Sequence, residues 1–419
     1  MLKVLFKTKY SFIQALLIVA TIFYLFTLFV FIEREDTYLI SKAAFVVAFV
    51  LSLLNTRVLV VQKSSVLLFF FVLVCAITCF WSPIMSTSLS MVFTLIQLLA
   101  MFIVLSWGFR DFGNEDLFLT IILAAGYLMC IYYLFYYGLS GYVSVLTSAG
   151  RLGSDFENTN TIGGSAAFVF VLSLYVAKKW SKIWLLFAIL PAIILLGAGS
   201  RTAIFVALIG LLSVLLCYLF NKNNKKPIRT FVIVSVFLLG LYFFVVNIPN
   251  IEFMSSIYNR FQTMFDVISG NSTLEGSVSY RIKMVSVGFD TFLAHPLFGY
   301  GINSGAVPLA KSGINYTAYH NNYIEILADA GIVGFALYYG LYLRLLVKSY
   351  KSIKNNQSFA FIMLCMMLVL DVGGVTYYQQ RNYLLLIFIS LVVENKKIVS
   401  MSLFKKQERM VCSYENENC

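Results

Sequence analysis

The 419-residue chain is predicted to fold as an all-α, polytopic integral membrane protein with about 12 transmembrane helices and one large extracytoplasmic loop. Its hydrophobic residues make up 60% of the total and its charged residues 12%, with a mean hydropathy of +0.86. A soluble protein of this size cannot cover so much apolar matter with polar surface. The length also suits a bundle of about a dozen spans of roughly 20 residues each. A soluble Rossmann-type or barrel enzyme is excluded.

Apolar runs define the candidate spans in order: 11–32, 39–54, 66–80, 89–107, 117–139, 161–177, 183–197, 203–220, 231–246, 332–347, 359–375 and 383–393. The first follows Lys3, Lys7 and Lys9 like the apolar part of a secretion signal. It is too long for one, and Glu33-Arg34-Glu35-Asp36 follows it without a small-x-small cleavage site, so it is read as a retained anchor. The organisation is then residues 1–246 for helices one to nine, 247–330 for the large loop, 331–393 for helices ten to twelve and 394–419 for a polar, cytoplasmic tail.

Orientation follows from the basic residues, which are retained on the cytoplasmic side. With the N-terminus inside, Lys178, Lys179 and Lys182, then Lys222, Lys225, Lys226 and Arg229, then Arg344, Lys348, Lys351 and Lys354 all fall in cytoplasmic segments. Both termini are expected in the cytoplasm of a bacterial inner membrane. The formal net charge of +12 reflects this topology and contact with anionic lipid, and gives no reason to expect nucleic acid. Cys75, Cys79, Cys130, Cys217 and Cys365 lie in apolar runs and Cys412 and Cys419 in the tail, so no disulfide framework is implied. With His295 and His320 as the two histidines, no metal site is expected.

The loop over 247–330 is too long for a connector and is rich in Gly, Ser, Asn and Tyr. Segments between Arg260 and Phe292 suit amphipathic surface helices, and His295-Pro296-Leu297-Phe298-Gly299-Tyr300-Gly301 is rich in turn residues. The stretch from Tyr319 to Gly334 combines a His320-Asn321 pair with Gly331-x-x-Gly334. On a continuous helix of about 100° per residue, Gly331 falls within roughly 20° of the His320 direction and Gly334 within roughly 40°. That geometry puts the imidazole on a face suited to close helix packing.

Three arginines stand beside polar turns. Arg201, in Gly199-Ser200-Arg201-Thr202-Ala203, suits either a snorkelling or capping role or the binding of an anion through its planar fork. Arg151, in Gly150-Arg151-Leu152-Gly153, pairs with Asp155 or Glu157 or binds an anion, and Arg281 in the large loop is a solvated charge or a third anion ligand. For His320 the two readings are a helix-entry hydrogen bond and acid–base work; Asn321 suits a helix cap.

Taken in chain order, Arg-Leu-Gly before Phe156-x-Asn158-x-Asn160, then Gly-Ser-Arg-Thr-Ala, then His-Pro-Leu-x-Gly-x-Gly, then His-Asn with nine residues to Gly-x-x-Gly resembles the superfamily of O-antigen polymerases and O-antigen ligases, the Wzy and WaaL type membrane proteins. The resemblance covers roughly 150–334 by motif and the rest by helix count. It implies transfer of a glycan from undecaprenyl pyrophosphate to an acceptor hydroxyl at the outer leaflet, with lipid-linked oligosaccharides as substrates, no cofactor, and a flippase and chain-length regulator as possible associates. By this resemblance His320 acts on the acceptor hydroxyl, while Arg151, Arg201 and Arg281 hold the pyrophosphate as its charge grows. Asn160, Asn321, Gly331 and Gly334 then support the site or its packing. Tyr300, Tyr316, Tyr319 and Tyr323 are placed to stack on sugars.

A polymerase joining repeat units is the favoured reading, with a ligase to lipid A core or protein as the alternative, since the motifs do not encode the acceptor. Two other classes compete. A metal-dependent glycosyltransferase with carboxylates in its first outer loop would use Glu33, Glu35 and Asp36, and a lipid-linked oligosaccharide flippase would account for the spans and for Lys42. Transporters, however, usually show paired repeats and midplane broken helices.

Overall fold

The computed structural model describes residues 10–31, 37–147, 151–152, 159–221, 277–353 and 357–394. Within these the secondary structure is helical, without strands: α1 Phe12–Val30, α2 Tyr38–Asn55, α3 Lys63–Thr78, α4 Met85–Phe109, α5 Glu115–Thr147, α6 Thr159–Lys179, α7 Trp184–Phe187, α8 Ile189–Ala198, α9 Arg201–Phe220, α10 Ser277–Ala294, α11 Ala306–Lys311, α12 Asn322–Ile353, α13 Phe359–Leu370 and α14 Gln380–Glu394. Seven of them are long and apolar enough to cross a membrane, and α3, α7 with α8, and α13 are shorter apolar helices. The protein is an all-α polytopic membrane protein. The predicted span over 231–246, the acidic residues Glu33, Glu35 and Asp36, and the C-terminal tail lie outside the described residues.

Local chemistry fixes the helix ends. Ser11 caps α1 by accepting the Gln14 amide while the Gln14 side chain accepts the Ser11 amide, a reciprocal box that satisfies two otherwise orphaned donors. Gly138 breaks the backbone of α5 with φ +63°, a conformation that a Cβ disfavours. Helix α14 is buried on all sides from Arg381 to Val393, and α6 is nearly so, which makes them the centre of the bundle. Helix α14 packs against α1, α4, α12 and α13, and α6 against α5, α8 and α9. The outward faces of α2 and α4 expose Val46, Val47, Val50, Leu54, Phe93 and Ile96, the surface expected toward lipid tails.

Helix α12 departs most from its expected form. It starts at Asn322, well before the predicted span over 332–347, and its backbone breaks at Gly331, where φ is +64° and ψ −168°. The broken turn exchanges its hydrogen bonds with the segment 296–301. The amides of Tyr300 and Gly301 donate to the carbonyls of Ala328 and Asp329 at 2.8 and 3.1 Å, and the amides of Ile332 and Val333 donate to Pro296 and Leu297 at 2.9 and 3.2 Å. Each buried backbone group thus regains a partner, which is what makes the break tolerable. A Cβ on Gly331 would lie 2.3 Å from the Leu297 carbonyl oxygen, and one on Gly299 would lie 2.3 Å from the Asp329 carbonyl carbon. The glycines of the two motifs are therefore spent on each other's backbones.

This corrects the helical-face reading of the His320 stretch. His320 precedes α12 instead of riding on it, and Gly331 meets a strap of chain instead of a neighbouring helix. Gly334 does face a neighbouring helix: a Cβ there would come within 3.9 Å of Phe71 and 4.0 Å of Val74 on α3, and within 2.4 Å of the Ala330 Cβ of its own helix.

Candidate active site

At the α8–α9 corner the sequence Gly-Ser-Arg divides three tasks. Gly199 closes α8 in the left-handed region with φ +54°, and Ser200 opens α9, accepting the Ala203 amide and donating to Asn160 Oδ1 at 2.6 Å. Arg201 is the first residue of α9 and half-buried, followed by Thr202. Arg151 reaches the same corner. Its Nε donates to the Ala198 carbonyl at 3.1 Å and its Nη2 to the Gly199 carbonyl at 3.3 Å, so it caps the negative end of α8. Asp155 and Glu157, the expected partners of Arg151, lie outside the described residues.

His320 is held from both sides in the left-handed region, with φ +54°, a strained conformation for a non-glycine residue. On one side the Tyr319 amide donates to buried Glu325 Oε2 at 2.7 Å, and on the other the Asn322 amide donates to the Asp371 carbonyl at 2.8 Å. Asn321 caps α12, its Oδ1 accepting the amides of Tyr323 and Ile324 at 3.0 and 3.1 Å, while its Nδ2 donates to the Val372 carbonyl. Asn322, fully buried, uses Oδ1 to accept the amides of Thr376 and Tyr377 at 2.8 and 2.9 Å, and Nδ2 to donate to the Tyr339 hydroxyl. Helix α13 ends at Leu370, so the 371–379 segment is a turn clamped to the His320 segment instead of the end of the predicted span over 359–375. Asp371 anchors it, accepting from the hydroxyls of Thr376 and Tyr339.

Those two segments wall a cavity of about 630 Å³. Its lining includes His320, Arg281, Arg381, Asn160, Thr202 and Gln380, with Leu28, Leu370 and Val375 as an apolar wall. The residues come from the ends of α1, α6, α9, α13 and α14 that share one end of the bundle, together with α10. Among the described lining residues there are two guanidinium groups, one imidazole and no carboxylate. Burial and, after it, the Arg281 charge hold the His320 imidazole below its ordinary pKa, and burial lowers that of Arg281. A neutral imidazole beside a fixed cation is equipped to accept a proton next to a bound anion.

Of the residues singled out in the sequence, the cavity brings together His320, Arg281 and Asn160. Arg201 adjoins it through Thr202 but is not itself among the lining residues, and Arg151 stands behind it on the carbonyls of α8. Of the four tyrosines, Tyr316 sets its half-exposed ring edge-on against His320 at 5.6 Å. Tyr319 is buried, and Tyr323 stacks on Tyr339 and donates to the Leu368 carbonyl. Tyr300 lies instead against His295. Arg381 and Asn322 were not singled out by sequence reasoning; an arginine at a helix end reads as a snorkelling residue, and Asn322 is hidden behind Asn321.

Residues 186–339, less than half of the chain, match the family model described as O-antigen ligase. That stretch carries the Gly-Ser-Arg corner, the 296–301 strap, His320 and the break at Gly331. The match supports the O-antigen ligase and polymerase superfamily and does not distinguish the Wzy type. No curated protein matches the chain.

Proposed function

We propose that the protein is a glycosyltransferase of the bacterial inner membrane that moves a glycan from undecaprenyl pyrophosphate to an acceptor hydroxyl at the extracytoplasmic face. The observation that carries this reading is the single cavity in which His320 and Arg281 meet beside an apolar wall. In the reaction the bond between the anomeric carbon and the phosphate oxygen breaks, and its electron pair stays on the diphosphate. The acceptor oxygen forms the new bond to that carbon, and its proton passes to His320. Arg281 stabilises the charge gathering on the leaving group, a contribution larger in the transition state than in the ground state. Burial and, after it, the same cation favour the unprotonated imidazole before the donor arrives.

Joining of repeat units, as in a polymerase, is the favoured form of the transfer because it serves O-antigen, capsule and exopolysaccharide systems alike. The alternative is the ligase form, in which lipid A core or protein receives the chain, and the family match does not choose between the two. Purified protein in liposomes, given lipid-linked repeat units on its loop-bearing face, tests the proposal. Lengthening chains support a polymerase, and transfer that requires added lipid A core supports a ligase. Transbilayer movement without bond formation would replace both by a transporter.

A further inference from the structure

We propose that Arg381 is a second guanidinium ligand of the donor diphosphate, acting with Arg281 in the same cavity. This rests on reading the cavity as the donor site. Arg381 opens the first turn of α14, is 4% exposed, and still lines the cavity that holds Arg281 and His320. Its guanidinium is fixed in place: Nη1 donates to Ser165 Oγ at 3.0 Å and to the Thr161 carbonyl at 3.4 Å, and Nη2 donates to Gln379 Oε1 at 3.2 Å. These tie it to α6 and to the 371–379 turn, the wall that Asn322 clamps to the His320 segment.

An arginine buried to this extent is costly to desolvate unless its charge meets a partner or a ligand. Here it shares the cavity with another guanidinium, and no carboxylate appears among the described lining residues. Two cations suit a ligand with two linked phosphates better than one with a single phosphate, because each guanidinium can offset the charge of one phosphate. The cavity is thereby selective for the diphosphate lipid over its monophosphate counterpart. As the glycosidic bond breaks, the electron pair left on the diphosphate falls between donors already in place.

The test measures binding of undecaprenyl diphosphate and undecaprenyl monophosphate to the full-length purified protein in nanodiscs, beside glycan transfer. Wild type is expected to prefer the diphosphate. R381K, which keeps the charge but loses the fork, and R381Q should weaken diphosphate binding by about tenfold, the order of one lost charge-assisted hydrogen bond, and weaken monophosphate binding less. S165A, which loosens the fork without touching the lipid, should erode the same preference in part. Wild-type affinities in R381K and R381Q overturn the inference, as does an equal loss for both lipids with a lowered melting temperature, the mark of a mere tie between α14 and α6. If transfer depends on His320 and Arg281 while the lipid preference ignores Arg381, this inference falls and the proposed function stands. If wild type transfers no glycan but its diphosphate preference vanishes in R381K, the proposed function falls and the anion clamp stands.

Discussion

Asn322 accepts the backbone amide of Thr376 at 2.8 Å, joining the segment that carries His320 to the turn that precedes α14. N322A removes this bond together with that to Tyr377 and strands buried partners, each at a cost of about 1–3 kcal/mol. The expected outcome is a lower melting temperature in detergent and a loss of glycan transfer. N322D keeps the oxygen but puts a carboxylate against Asp371, and should be no better. Wild-type activity in either variant would detach the turn from the site.

His320 needs a replacement that respects its backbone. Asparagine tolerates the left-handed region better than alanine, so H320N is the cleaner probe of the imidazole. Transfer should fall by about 10² or more, the usual worth of a general base, with insertion and melting temperature near wild type. Near wild-type transfer in H320N would leave the imidazole without a role.

The pH profile carries a signed expectation. His320 titrates below its ordinary value, so the acidic limb of kcat/KM, which reports the free enzyme, should lie below about pH 6.5. R281Q removes the neighbouring charge and should move that limb to higher pH, whereas R281K should not. A donor diphosphate neutralises Arg281, so the limb of kcat should lie at higher pH than that of kcat/KM. Coincident limbs in wild type and R281Q would separate the two residues.

Gly331 has no substitute. G331A places a Cβ 2.3 Å from the Leu297 carbonyl in a nearly glycine-only conformation that already disfavours side chains by roughly 1–3 kcal/mol. The variant should melt at lower temperature and lose activity, and loss of the 296–301 strap should appear as faster amide exchange at Tyr300 and Gly301. Unchanged exchange would show that the strap does not depend on the break.

Arg151 offers a contrast among the cations. Because it bonds the Ala198 and Gly199 carbonyls, R151Q should lower kcat by disturbing the α8–α9 corner while leaving the donor KM unchanged. A raised KM would instead return Arg151 to the donor.

The apolar runs of the sequence carry most of the bundle, because lipid imposes length and composition on each span. His320 and Asn321 were legible as a polar pair at a helix entry. The break at Gly331 was not, because helical periodicity registers spacing within one segment and is blind to a strap some thirty residues upstream. The turn over 371–379 was hidden for a related reason: Val372 and Val375 extend the apolar run past Asp371, and the bonds of Asn322 and Asp371 that hold the turn are tertiary. Arg381 was not legible in the sequence, since what distinguishes it is a cavity assembled from helices far apart in the chain.

The placement of α14 has a consequence for biogenesis. Gln380 and Arg381 are contributed by a helix that leaves the ribosome after every other described element, and the turn before it completes the wall beside His320. A nascent chain already threaded through the membrane by its earlier helices therefore still lacks one wall of the cavity. Translation arrested before that helix is expected to leave the site unassembled in the bilayer, so its completion is tied to the end of synthesis of the described bundle.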